Sequence, residues 1–284
     1  MCGFITDIVD SIVDIVTDVV DIVVDVVEDV VGWLTPEVDI PDFSQIQADQ
    51  NARGVLVNKI SANSFISVVY GTRKVGGNIV FLETSGTDNQ YLYMALVLSE
   101  GEIDSISSLF VNDNLVTLTG SLTDSTTREV ASTDSNFFDG SSLIQVQAKL
   151  GADDQTACSV LTPLSSWTTN HRLRGLAYLA LRFTWNADKF GSLPTVQAII
   201  KGKKVYNPNL DSTIYQLLDY LRNDRFGMGI VNSYFDSNFA DWQVAGDVCD
   251  TNITPFSGAS QIDLMDSHTV VDTSKKAIDN VKDF

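Results

Sequence analysis

GLAYLALRFTW, residues 175–185, is the stretch whose reading decides the fold. Ala177, Leu179, Leu181, Phe183 and Trp185 alternate with Tyr178, Arg182 and Thr184, a period of two that sets one apolar face against one that tolerates water. That is a half-buried strand. Downstream, TVQAIIKGKKVY (195–206) reads as a hairpin turning near Lys201-Gly202. Upstream, GVLVNKI (54–60), FISVVYGTRKVGGNIVFLET (65–84), YLYMALVLSEGEI (91–103) and SLFVNDNLVTLTG (108–120) are rich in Val, Ile, Leu and aromatics and are broken by Gly, Asn and Asp. Residues 53–208 are therefore expected to form a β-rich domain. Its polar segment 120–142, GSLTDSTTREVASTDSNFFDGSS, is expected as an exposed excursion, an insertion or a mobile loop.

After Pro208 the period changes. Ile214, Leu217, Leu218 and Leu221 fall at i, i+3, i+4 and i+7, one face of a helix. Asn209 or Asp211 can cap its start, Arg222 suits its negative end, and Gly227 and Gly229 allow an exit with positive φ. A second helix is expected over 237–249 with Phe239, Trp242 and Val248 inward. A third begins near Ser274, with Ala277, Ile278, Val281 and Phe284 on one face. It stops in mid-pattern, so the helix-containing domain over 209–284 is expected to continue beyond Phe284.

The first residues pose a separate problem. ITDIVDSIVDIVTDVVDIVVDVVEDVV looks apolar enough for a bilayer, but acids interrupt it every three or four residues. Each Asp in a bilayer costs roughly 2.5–3.5 kcal/mol, and each Ile or Val returns only about 0.3–0.6. The acids win, so no membrane span is expected. Without a basic leader region it is no signal peptide either. At about 100° per residue the acids fall on one narrow arc, which predicts an apolar helix over 1–34 with an acidic stripe, ended by Gly32 and Pro36. A linker follows over 35–52. Such a helix either packs on its own chain or joins an oligomeric bundle or channel mouth with the stripe toward water. The expected class is α+β: β-rich modules, small barrels or sandwich-like sheets, with bracing helices and this N-terminal amphipathic helix.

The chain has 284 residues, 37 acidic against 18 basic side chains, and a formal net charge of -19. With its basic residues scattered, it should repel phosphate backbones, so no stable nucleic-acid binding is expected. Three distant cysteines (Cys2, Cys158, Cys249) make neither a disulfide framework nor a CxxC metal pair, and two histidines (His171, His268) offer little to a zinc site. MCGF opens like an N-terminal cysteine nucleophile but leads into the helix. The glycine spacing of 71–78 lacks the Lys-Ser/Thr of a P-loop and reads as a turn between strands. Asp134–Gly140 fails the EF-hand spacing, and Asp266–His268 has no nucleophile elbow beside it. No catalytic, metal or cofactor residue is assigned, and an enzyme is not expected.

YLRNDRFGMGI (220–230) places two arginines around an aromatic and glycines, as a phosphate clamp, a catalytic loop or a helix end would. Four ordered stretches bear on it: VVYGTRKVGG (68–77), LVLSEGEIDSISSLFVND (96–113), LRGLAYLALRFTWNADKFGSLPTVQAIIKGKKVYNP (173–208) and LLDYLRNDRFGMGI (217–230). Together they resemble the N-terminal region of phage tail-tip or baseplate hub proteins, the J-type host-specificity (tip attachment) family. TSKKAIDNVKDF (273–284) is similar to the helix that follows in such proteins, whereas the acidic segment before Gly32 lies outside the pattern.

The resemblance implies a non-enzymatic structural protein of the virion, made in the host cytoplasm and placed at the distal end of the tail. It implies a homotrimeric hub around the DNA exit path. Distal tail and tail tube proteins would lie above, a central fibre or receptor-binding protein below, and the tape measure protein is a further candidate partner. Arg222, Arg225, Phe226, Gly227 and Gly229 then form a structural helix exit, the arginines pairing with carboxylates or carbonyls and Phe226 filling a core gap. Asp7, Asp14, Asp21, Asp25 and Glu28 become candidate oligomer or channel contacts. The rival reading is a soluble receptor- or carbohydrate-binding module, for which Trp33, Trp167, Trp185 and Trp242 are dispersed in sequence.

Overall fold

The computed structural model describes residues 58–284 except 61–63, 125, 207–208 and 256–259. The expected helix over 1–34 and linker over 35–52 lie outside the described residues, and with them Cys2, Trp33, Asp7, Asp14, Asp21, Asp25 and Glu28.

The elements run in chain order as follows. Strands come first: β1 (Lys59–Ile60), β2 (Val68–Val69), β3 (Thr72–Val75), β4 (Asn78–Ser85), β5 (Tyr91–Glu100), β6 (Ile103–Val111) and β7 (Asn114–Val116). β8 (Arg128–Glu129), β9 (Ile144–Leu150), β10 (Leu176–Thr184) and β11 (Val196–Lys203) complete the β part. Helices α1 (Thr213–Arg222), α2 (Asn232–Ser237) and α3 (Phe239–Cys249) follow, then short strands β12 (Asn252–Ile253), β13 (Ile262–Asp263) and β14 (Val270–Val271), and last α4 (Ala277–Asn280). The class is α+β and β-rich.

Two sheets share the main core. One is ordered β1-β4-β5-β10-β9-β8, the other β3-β11-β6-β7. Leu92, Met94, Leu96 and Leu98 of β5, Leu179, Leu181 and Phe183 of β10, and Ile144 and Val146 of β9 meet Ile103, Ile106 and Leu109 of β6 and Val196, Ala198 and Ile200 of β11. The geometry is sandwich-like. Each large apolar side chain buried there contributes roughly 1.5–3 kcal/mol. β10 lies between β5 and β9, with Leu179 opposite Leu96 on one side and Ala148 on the other.

The second face of that sheet is not wet. Tyr93, Ala95, Val97, Tyr178 and Ala180 pack under Cys158, Val160, Leu161, Leu164 and Trp167 from the long 151–175 connection. Tyr178, expected on a water-tolerant face, is fully buried. Gln155 pins the connection by donating to the carbonyls of Arg172 and Leu176 and accepting from Gly151 N. Gln147 Oε1 accepts from the Cys158 thiol (2.8 Å) and from Ser159 N (2.8 Å). A strand covered on both faces reads as a continuous apolar run, as YLYMALVL does.

Turn chemistry places the corners. Asn112 and Asp113 both have positive φ (48° and 62°), the two-residue turn that joins β6 to β7. Gly71 (φ 63°) precedes β3, and the Gly76-Gly77 step passes the chain from β3 in one sheet to β4 in the other. No hairpin occurs at Lys201-Gly202, because β11 runs straight through it. A Cβ on Gly202 would lie 2.2 Å from the Val69 carbonyl oxygen, so this glycine admits a crossing backbone. Segment 120–142 is tied down more than its polarity suggests. Leu122, Val130, Asp134 and Phe137 are buried, and Phe137 stacks on Phe190.

The helical part closes back on the β part. β14 pairs antiparallel with β2, Val270 opposite Val69 and Val271 opposite Val68. A small core of Val68, Tyr70, Tyr220 and Val271, with Phe226, Ala277, Val281 and Phe284 against it, seals the junction. Ser212 is the cap residue before α1, but its side chain makes no cap bond; Asn209 Oδ1 instead accepts from Asp211 N. α1 is buried at Tyr215, Gln216, Leu218 and Tyr220; of the expected face Leu218 is buried and Leu221 packs against the same cluster, whereas Ile214 and Leu217 are half-buried. In α3, Gly246 and Cys249 are buried while Val248 is exposed, and Ile278 of α4 is exposed as well. Ala277, Val281 and Phe284 do share an inward face.

Candidate functional site

The junction between α1 and the β part gathers the charged and aromatic residues of the chain's most distinctive stretch. Asp219 stands at its centre. It accepts from Tyr70 Oη at 2.5 Å and takes both carboxylate oxygens to Lys203 Nζ at 2.8 Å. Burial, and then the Asp219 charge, push the Tyr70 phenol well above its ordinary range, so Tyr70 stays a donor. Next along α1, Tyr220 donates to the Ala277 carbonyl (3.0 Å), while Asn280 Nδ2 reaches Tyr220 Oη (3.3 Å). One turn of helix thus ties Tyr70, just after β2, and strand β11 to α4.

Beyond the helix the chain reverses over 223–230. Asn223 Oδ1 accepts from the backbone of Arg225 and Phe226. Gly229 has φ 63°. Gly227 serves a different need, since a Cβ there would sit 1.8 Å from the Tyr220 carbonyl oxygen. Arg222 bonds Asn232 Oδ1 (2.8 Å) and Asp236 Oδ1 (3.2 Å) in α2. Arg225 pairs with Glu100 at the end of β5, a carboxylate only 13% exposed. Phe226 is half-buried beside Lys203. These side chains are spent on one another and on the backbone, so the geometry is that of a brace between elements.

The other groups of chemical interest are dispersed. Burial pushes the Cys158 thiol up to about 11, opposite to what a nucleophilic thiolate needs. Cys249 is also buried and its thiol is raised by burial. His268 Nδ1 accepts from Thr72 N (3.0 Å) and His171 Nδ1 from Thr168 N (2.9 Å). Asp134 spends its carboxylate on the backbone amides of Thr117, Asn136 and Phe137. Among the described residues, no group of three or more His, Cys, Asp or Glu is placed to hold a metal, and no helix is long and apolar enough to cross a membrane. Trp167 is buried against Phe81, Trp185 packs on the main core and Trp242 meets Phe235, so these three form no shared platform.

The residues missed from sequence are Asp219, Tyr70 and Lys203. Their partners lie 149 and 16 positions apart, and no local spacing announces them.

Comparison with known proteins gives one curated relative. The chain is similar to the baseplate hub protein pb3 of Escherichia phage T5, 26% identical over 288 residues, a match covering 78% of this chain. The match covers 30% of that protein, so this chain spans about a third of its relative's length. No protein-family model matches. A chain in the solved virion of a native gene transfer agent particle aligns at 16% identity and TM-score 0.39, covering 64% of this chain and 36% of that one.

Proposed function

We propose that this protein is a structural component of a phage tail, forming the hub at its distal end. The observation that carries this reading is the similarity to a baseplate hub protein over 78% of the chain. The braced β-sandwich supports it, because the arginines and carboxylates of the α1 exit serve packing rather than chemistry. In the finer form of the proposal the protein is a homotrimer around the DNA exit path. It joins distal tail and tail tube proteins to a central fibre or receptor-binding protein.

The acidic stripe carried by Asp7, Asp14, Asp21, Asp25 and Glu28 is assigned to the oligomer or channel contact. Facing an aqueous lumen it would repel the genome during ejection, since like charges separate. Gold labelling of intact virions with an antibody against this chain tests the placement. Gold confined to the distal tail tip is expected; its absence from both intact and disrupted virions would end the reading. Deleting residues 1–31 tests the contact: the trimer should dissociate in sedimentation, and an unchanged trimer removes the role.

A further inference from the structure

The helical part exposes an apolar face that neither the core nor the helix exit uses. Val244 and Val248 lie one turn apart on α3 and are 64% and 53% exposed. The chain then folds back antiparallel along the end of this helix. Leu264 N bonds Thr251 O at 2.9 Å, Met265 N bonds Cys249 O at 3.1 Å, and Ile262 pairs with Ile253. That return, bonded to the end of the helix, carries three more exposed apolar side chains, Ile262, Leu264 and Met265, each 45–51% exposed. Isolated exposed apolar residues are ordinary, but five on adjoining elements mark a contact surface.

Charge decides what fits there. Residues 226–274 contain seven Asp and no Lys, Arg or Glu, and Asp241 and Asp247 are exposed on α3 itself. A second copy would set the same acidic rim against itself. Residues 1–52 of this chain are apolar enough, yet they hold twelve acidic and no basic side chains. An anionic membrane surface is repelled for the same reason. We infer that this face docks a basic amphipathic segment of another protein, with apolar side chains seated on Val244, Val248, Ile262, Leu264 and Met265 and flanking Lys or Arg residues meeting the rim. The inference rests on the hub reading only for the expectation that a neighbouring virion protein supplies the segment.

The test needs no virion, so its outcome is separate from the gold labelling. The full chain is titrated calorimetrically with a synthetic amphipathic Leu/Lys helix and with its Leu/Glu counterpart. One-to-one binding of the Leu/Lys peptide alone, with a negative heat-capacity change, is expected. The double variant Val244→Asp, Val248→Asp makes the chain two charges more acidic and removes the apolar stripe. With its circular dichroism unchanged, it should bind roughly tenfold or more weakly. Equal or tighter binding by the double variant would reduce the attraction to diffuse charge and overturn the inference, as would no binding by the unaltered chain. Sedimentation of both proteins completes the test. A shift toward monomer in the double variant would assign the face to a second copy instead.

Discussion

Gly202 and Gly227 show how one hydrogen in place of a methyl decides a backbone path. Their Cβ positions fall 2.2 Å from Val69 O and 1.8 Å from Tyr220 O, whereas nothing lies within 4 Å of a Cβ on Gly191. Gly202→Ala and Gly227→Ala should each destabilise by about 1–3 kcal/mol or more in urea titration, and Gly191→Ala should stay within about 0.5 kcal/mol. Sequence places glycine at these points without saying why. At Gly202 it suggests a turn, because the residue crossing it, Val69, is remote in the chain. Asp266 carries a second prediction. Partial burial first, then Asp263, Asp211 and Asp250, hold its carboxyl above the ordinary range, with His268 pulling the other way. A carboxyl that binds its proton more tightly in the folded chain stabilises at low pH and loses that contribution as pH rises through its folded value. Asp266→Asn should therefore raise Tm at neutral pH. The gain should shrink as pH falls to about 4, near the ordinary Asp value, and should be sensitive to salt because the side chain is exposed.

At the scale of elements, α1 is gripped from two sides, so no single apolar face describes what it buries. Tyr215 and Leu218 meet Phe235, while Tyr220 enters a separate cluster with Val68, Tyr70 and Val271. A four-residue leucine pattern describes one partner, and two partners need aromatic positions outside it. β10 shows the converse. Its Leu179 and Phe183 face was plain from alternation, but the cover over Tyr178 comes from a loop that has no period. The Asp219 bonds give the junction its measurable strength. Asp219→Ala should cost about 1.5–3 kcal/mol in chemical denaturation, since it strands a buried phenol and a lysine. Lys204 makes the contrast. Its pair with Glu102 is nearly half exposed at both ends, so Lys204→Ala should cost about 0–1 kcal/mol.

Across the whole molecule, the sandwich and the α1 brace account for the described residues, while charge sets the company the protein keeps. A net charge of -19 favours solubility and discourages contact with nucleic acid, and it makes basic partners the ones that gain most from contact. The class was legible because strand periodicity and glycine punctuation are local signals. The closure of the molecule was not, because it depends on residues at opposite ends of the described chain. That closure has a consequence in time. The ladder joining Val68–Val69 to Val270–Val271 cannot form until the ribosome has delivered the second valine pair. β11, by contrast, completes the sandwich at Lys203. At about 5–20 residues per second, the nascent sandwich waits roughly 3–14 s with the edge around Tyr70 unclasped. During that interval the growing chain depends on its first core alone to stay out of aggregates.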